Sequence, residues 1–130
     1  MVIQINPVER TGAPKTAQEI MNRVNEISFN SSLLKELRSI DFVSRLIREG
    51  KLSNNEYRDT RIHIVGNQDV LLPLGASSKM NAEWAFLTHL RDLGRETAKS
   101  WLAENFEHIG KKATVDISQL FQGIGPQHQG

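Results

Sequence analysis

The chain has 130 residues, with sixteen Lys and Arg against fifteen Asp and Glu. The formal charge of +1 argues against a dedicated nucleic-acid binder, which carries a large positive excess on one face. Apolar residues make up 38% of a cysteine-free composition, which supplies a core for one soluble domain and excludes disulfides, thiolate metal sites and a cysteine nucleophile.

Met1 leads straight into Val2-Ile3-Gln4-Ile5-Asn6, a strand-like run closed by Pro7. A chain that opens inside a strand, without a polar lead-in, reads as cut from something longer. Residues 8–15 form a loop broken by Gly12 and Pro14. Thr16 and Glu19 make a T-x-x-E capping box, so a helix starts there, with Ile20, Val24 and Ile27 on one face. A second helical pattern runs from about Ser32 to Glu49, where Leu33, Leu37, Ile40, Val43, Leu46 and Ile47 share a half-circle. The two stripes lie on nearly opposite sides when one register is continued. Either the helix breaks near Asn30-Ser31-Ser32, or one long helix packs against different partners along its length. Leu34 and Phe42 fall among the charges of the second pattern. They are either isolated exposed residues or part of a second buried face covered from outside this chain.

Gly50 ends that helix, and Lys51–Thr60 is a polar connector. Arg61–Val65 alternates as a strand before a Gly66-Asn67 turn, and Val70–Leu74 reads as a short edge strand or a loop. Gly75-Ala76-Ser77-Ser78 leads into a third helix over roughly 80–93, with Ser77 or Ser78 as its cap. Gly94 interrupts, and residues 95–109 make a fourth helix closed by Gly110. Thr114–Phe121 is a last apolar segment, and residues 122–130 are expected to form a disordered tail. The fold class is therefore α/β and mostly helical, with about four helices and two or three short strands. If the two main strands pair, they do so in parallel through a crossover.

Motifs of chemistry are missing. The histidines make no H-E-x-x-H and no helical metal-ligand pair. Neither phosphate-binding glycine pattern occurs. Gly75-Ala76-Ser77-Ser78-Lys79 begins like a nucleophile elbow, but Lys79 stands where the tight strand–helix turn needs glycine. Ser32-Leu33-Leu34-Lys35 matches S-x-x-K without its companion motifs and lies in an amphipathic helix. No catalytic, cofactor-binding or metal-binding residue emerges.

Four strings nevertheless carry a resemblance: Gln4–Arg10, Asn22–Asn30, Gly75–Lys79 and Glu83–Leu87. They resemble the C-terminal region, a domain of unknown function, that follows the catalytic domain of bacterial patatin-like phospholipases. The resemblance covers residues 2–121. It implies that the chain is the C-terminal part of a larger patatin-like α/β/α fold, whose opening strand joins the edge of the catalytic sheet. Family members are lipid acyl hydrolases with a serine–aspartate dyad and a separate glycine-rich loop that donates to the oxyanion. None of those motifs has a counterpart here, so no catalytic residue is carried over and no cofactor is implied. The expected function is a non-catalytic accessory region of a patatin-like lipid acyl hydrolase, inactive alone and located in the cytoplasm, peripheral membrane association being left open. Its expected partner is the upstream catalytic domain in cis, with lipid substrate met through that domain and no nucleic acid. Leu34 and Phe42 are the candidate interface residues. The alternative is an independent helical protein-interaction module, self-association included. An enzyme built around Ser77, Ser78, Lys79 and His89 is the least favoured reading.

Overall fold

A computed structural model describes residues 1–122 apart from Glu9, Thr11 and Asn54. Most of the expected tail therefore lies outside the described residues. Two long helices dominate, joined through a two-stranded parallel sheet and short helical turns.

Helix α1 (Ala17–Arg48) opens on the expected capping box. The Thr16 hydroxyl accepts from the Glu19 amide at 3.2 Å, and the Glu19 carboxylate accepts from the Thr16 and Lys15 amides. The helix then runs unbroken for 32 residues, so the two helices expected before Gly50 are one. Asn30 and Ser31 do not terminate it because their side chains find other acceptors. Asn30 donates out of the helix to the Pro7 carbonyl at 2.8 Å, and Ser31 donates to the Ser28 carbonyl at 2.9 Å. Gly50 stops it with φ at 71°, in a Schellman arrangement. The Gly50 amide bonds Ile47 and the Lys51 amide bonds Leu46, at 3.0 and 2.9 Å.

Strand β1 (Val2–Ile3) pairs in parallel with β2 (Ile64–Val65), Val2 opposite Ile64 and Ile3 opposite Val65. Residues 68–71 wind into the single-turn helix α2 (Gln68–Leu71) rather than a strand. The Asn67 carboxamide caps that turn by accepting from the Val70 amide, which favours helix over extension.

The Gly75 region is also corrected. Ser78 donates to the Gly75 carbonyl at 2.7 Å within a 3-10 turn (Ala76–Met80), so neither Ser77 nor Ser78 caps the next helix. That helix, α3 (Trp84–Asn105), starts later, where the Asn81 carboxamide accepts from the Glu83 amide. It passes through Gly94 without a break, so the expected third and fourth helices are also one. A single glycine inside a helix costs only about 1 kcal/mol, which the other residues of α3 outweigh. A 3-10 turn (Phe106–His108) and Gly110, at φ 76°, close it. The last element is α4 (Gln119–Gln122).

The core is small. Leu37 of α1, Ile62 before β2 and Ile117 before α4 form its buried centre, with Leu33, Ile40, Ile64, Val115 and Leu120 packed around it. The short 114–120 segment thus supplies more of this cluster than β2 does, Val115, Ile117 and Leu120 against Ile64.

Candidate docking groove and its polar clamp

The N-terminal half of α1 reaches away from this core, and its contacts are mostly polar. Glu26 is buried at 7% exposure and receives a two-pronged bond from Arg10, Nε at 3.1 Å and Nη2 at 2.6 Å. The same Nη2 donates to the Leu72 carbonyl at 3.0 Å. Arg23 adds a longer ion contact to Glu26 at 3.8 Å. The Glu26 hydrogen bond raises the Arg10 pKa above its ordinary value, so the guanidinium stays charged throughout.

Two asparagines extend the clamp. Asn30, at 4% exposure, holds the Pro7 carbonyl. Asn22 accepts from the Ala76 amide at 3.1 Å, and Gly75 leaves room for this contact. A Cβ built on Gly75 would lie 3.1 Å from the Asn22 side-chain nitrogen. Lys79 reaches back to α1, donating to Asn25 at 3.0 Å with its ammonium 5.1 Å from the Phe29 ring centre. Three of the sequence strings, Gln4–Arg10, Asn22–Asn30 and Gly75–Lys79, are thereby brought into one cluster although up to 75 positions separate them.

What the clamp frames is an apolar groove of about 470 Å³. Ile3 and Ile5 form one wall, Phe29 of α1 another, and Leu71, Leu90 and Leu93 line the rest. Ile3, Ile5 and Phe29 are each more than half exposed. Gly94 also lines the groove, so the glycine that does not break α3 leaves space there. Charge is confined to Glu26 and Lys79 on the lining.

A second surface follows the back of α1, apolar at its N-terminal end and interrupted by Ser31, Arg38 and Arg45 in the same arc further along. Ile20, Val24, Ile27, Leu34 and Phe42 fall within about 80° of one another around the helix axis. Ile20, Val24 and Ile27 are 49–57% exposed and Phe42 is 52% exposed, while Leu34 is half-buried. Arg45 stands 5.7 Å from the Phe42 ring centre. Leu34 and Phe42, singled out from the sequence, therefore belong to a longer stripe. They do not reach the groove, since Phe29 and Leu34 point about 140° apart.

The serine candidates do not converge on a base. Ser77 is exposed, Ser78 is turned to Gly75, Lys79 is turned to Asn25, and none of them bonds His89. His63 is buried, with Nδ1 3.1 Å from the Thr114 hydroxyl and Trp101 edge-on at 5.8 Å between ring centres. That is a structural histidine tying the 114–120 segment to β2. Among the described residues no group of three or more potential ligands could hold a metal ion.

The clamp residues Arg10 and Glu26 carry no sequence motif. One signal does mark Glu26. Glu26, Asn30, Leu33 and Leu37 are spaced four, three and four apart, so the core stripe of α1 continues toward its N-terminus in polar residues. A carboxylate in register with a core stripe needs a partner, and Arg10 is that partner. No helix among the described residues is long and apolar enough to cross a membrane. No family model, curated protein or solved structure matches the chain.

Proposed function

We propose that this chain is a non-catalytic accessory region that docks onto a larger folded partner, the catalytic domain of a patatin-like lipid acyl hydrolase, and is inactive alone. One observation carries the docking role. Among the described residues sixteen large apolar side chains are exposed and only five apolar residues are buried. Single exposed apolar residues are ordinary, but seven of the sixteen are grouped, Ile3, Ile5 and Phe29 on the groove and Ile20, Val24, Ile27 and Phe42 along α1, which is the signature of an interaction surface. The identity of the partner rests on the resemblance of the four strings. It is supported by the meeting of three of them around the groove, where they build the docking surface and no reactive constellation.

The stripe on α1 supplies the test. Replacing Leu34 and Phe42 together by serine should weaken binding of a recombinant patatin-like catalytic domain by roughly tenfold or more, because two apolar anchors are lost from a desolvated interface. Circular dichroism would verify that the variant keeps its helices. Unchanged affinity in a folded variant removes those residues from the interface. Absence of any binding by the unsubstituted chain removes this partner.

A second reading is an independent helical interaction module. It is favoured by the spacing of Ile20, Val24, Ile27, Ser31 and Leu34, which alternates four and three residues as a coiled-coil seam does. Concentration-dependent association in sedimentation equilibrium, abolished by Val24→Lys, would select it.

A further inference from the structure

The two faces of the β1–β2 sheet are covered unequally. Ile64, opposite Val2, packs into the core on one face. Ile3 and Val65, the other opposed pair, line the groove together with Ile5. On that side Ile3 and Ile5 are 64% and 60% exposed, although parallel sheets are ordinarily covered by helices on both faces. Phe29 of α1 stands on one flank of the groove, and Leu90 and Leu93 of α3 stand on another. Yet no Cα of α1 comes within 8 Å of one in α3. Helices in contact lie about 8–10 Å apart axis to axis, which brings their Cα atoms closer than that. The two flanking helices therefore leave a gap over the sheet.

Along the α1 side the lining has donors without acceptors. Both Glu26 oxygens accept from Arg10, so the charge of that carboxylate is already met. Lys79, the other charged residue of the lining, forms no ion pair among the described residues. Its ammonium donates to the neutral Asn25 carboxamide and stands over the Phe29 ring. The Asn22 and Asn25 side-chain oxygens are occupied, by the Ala76 amide and by Lys79. Their amide nitrogens are left as further donors, three positions apart and so neighbours on α1.

We infer that the groove receives a helix of the partner, laid over the sheet face between α1 and α3, with an acidic side chain of that helix seated on Lys79, Asn22 and Asn25. Resting on the accessory-region reading above, this specifies which part of the partner docks, and it engages the face of β1 rather than its edge. The backbone bonds of a sheet run within its plane, so its face presents side chains. An extended segment laid there leaves its own N–H and C=O groups against apolar side chains, unpaired and buried. A helix bonds its backbone internally and brings side chains alone. Gly94 and Ala98, four apart on α3, keep that flank low enough for a second helix to approach. The charge that this chain leaves unmatched is an ammonium beside two amide donors, and a carboxylate is the side chain that completes it.

The test uses the full chain with a recombinant patatin-like catalytic domain as probe, read by affinity and by amide hydrogen exchange of the domain. Gly94→Leu fills the groove, since a Cβ there meets nothing within 4 Å, and leucine favours the helix. Lys79→Glu reverses the charge of the seat. Lys99→Glu, on the far side of α3, controls for net charge. Helix docking predicts that Gly94→Leu and Lys79→Glu, each folded by circular dichroism, bind roughly tenfold or more weakly. Lys99→Glu should bind within about twofold of the unsubstituted chain, and exchange in the domain should slow along one helical segment that carries Asp or Glu. If Gly94→Leu does not fold, Lys79→Glu carries the test. If the domain binds both folded variants within about twofold of the unsubstituted chain, helix docking is overturned while the docking role stands. Loss in Gly94→Leu alone removes the carboxylate, and equal loss in Lys99→Glu reduces the effect to net charge; either result overturns the inference. Slowed exchange confined to a strand or loop of the domain overturns it as well. Oleate that binds the chain but not Gly94→Leu, and displaces the domain, assigns the groove to a free amphiphile. Self-association in sedimentation equilibrium, abolished by Gly94→Leu, assigns it to a second copy, and both outcomes overturn the inference. No binding by the unsubstituted chain overturns this inference and the accessory role together.

Discussion

The two halves of α1 solve opposite problems with one continuous helix. In the C-terminal half Leu37 and Ile47 are buried, with Leu33 and Ile40 packed in the core around Leu37, while the charges of Lys35, Arg38 and Arg45 face outward. In the N-terminal half the buried residues are Glu26 and Asn30, and Ile20, Val24, Ile27 and Phe29 are exposed. The C-terminal half is held by apolar burial and the N-terminal half by a polar clamp. Burial of a carboxylate is tolerated only where its charge is met, so Arg10 is what allows the N-terminal half to turn its polar side inward. The consequence is an apolar surface left for something outside the chain.

The comparison is broken most severely from the apolar side. Leu37→Ala should cost about 2–4 kcal/mol, because a core this small cannot collapse around the cavity. Urea denaturation followed by helix signal measures it, and a loss below 1 kcal/mol would mean that the C-terminal half is not held as described. Glu26→Ala should cost less, about 1–2 kcal/mol, since the stranded Arg10 is one-third exposed and can reach water. A double-mutant cycle with Arg10→Ala isolates the pair. Its coupling should vanish if the clamp is only a surface ion pair, and should stay near 1 kcal/mol or above if burial matters.

This asymmetry was half legible in the sequence. The capping box, the stop at Gly50 and the apolar stripe of Leu33, Leu37 and Ile40 are local signals, and the structure follows them. The continuity of α1 through Asn30-Ser31-Ser32 is not local. It depends on the Pro7 carbonyl, 23 positions away in the chain, accepting the Asn30 side chain. The same holds for α3, where Gly94 reads as a breaker until its neighbours on both sides are seen to be helical. Residues 70–74 mislead for the opposite reason, because an apolar run of strand length is turned into a helix by one capping asparagine. The groove was the least legible feature. It is assembled from Ile3, Phe29, Leu71 and Leu90, which belong to four separate elements and share no spacing. Leu34 and Phe42 could be picked out because they break a charged pattern, whereas Phe29 breaks none.

A milder perturbation sharpens the contrast. Ile27→Gln should leave the stability of the isolated chain within about 0.5 kcal/mol, because the side chain is 57% exposed. The formally similar change Ile40→Gln, on the core side of the same helix, should cost several times more. Equal effects of the two changes would show that the back of α1 is covered within this chain.

The smallest effect lies at the start of the N-terminal half, where the capping box is electrostatic. Backbone amides of Lys15 and Thr16 donate to the Glu19 carboxylate and hold its pKa below the ordinary 4.5. A carboxyl whose folded pKa is depressed favours the folded helix while ionised. That contribution is complete above pH 4.5 and fades as pH falls through the lower, folded value. Because the group is fully exposed, the change should appear as fraying of the first turn rather than as global unfolding. Glu19→Gln keeps an acceptor at this position but does not titrate. Amide exchange at residues 19–21, followed from about pH 6 to about pH 3 and corrected for intrinsic exchange, should therefore show protection falling in the unsubstituted chain and staying level in the variant. Parallel curves would mean that the N-terminal half is fixed by Arg10 and Glu26 alone, with its cap contributing nothing to where the helix begins.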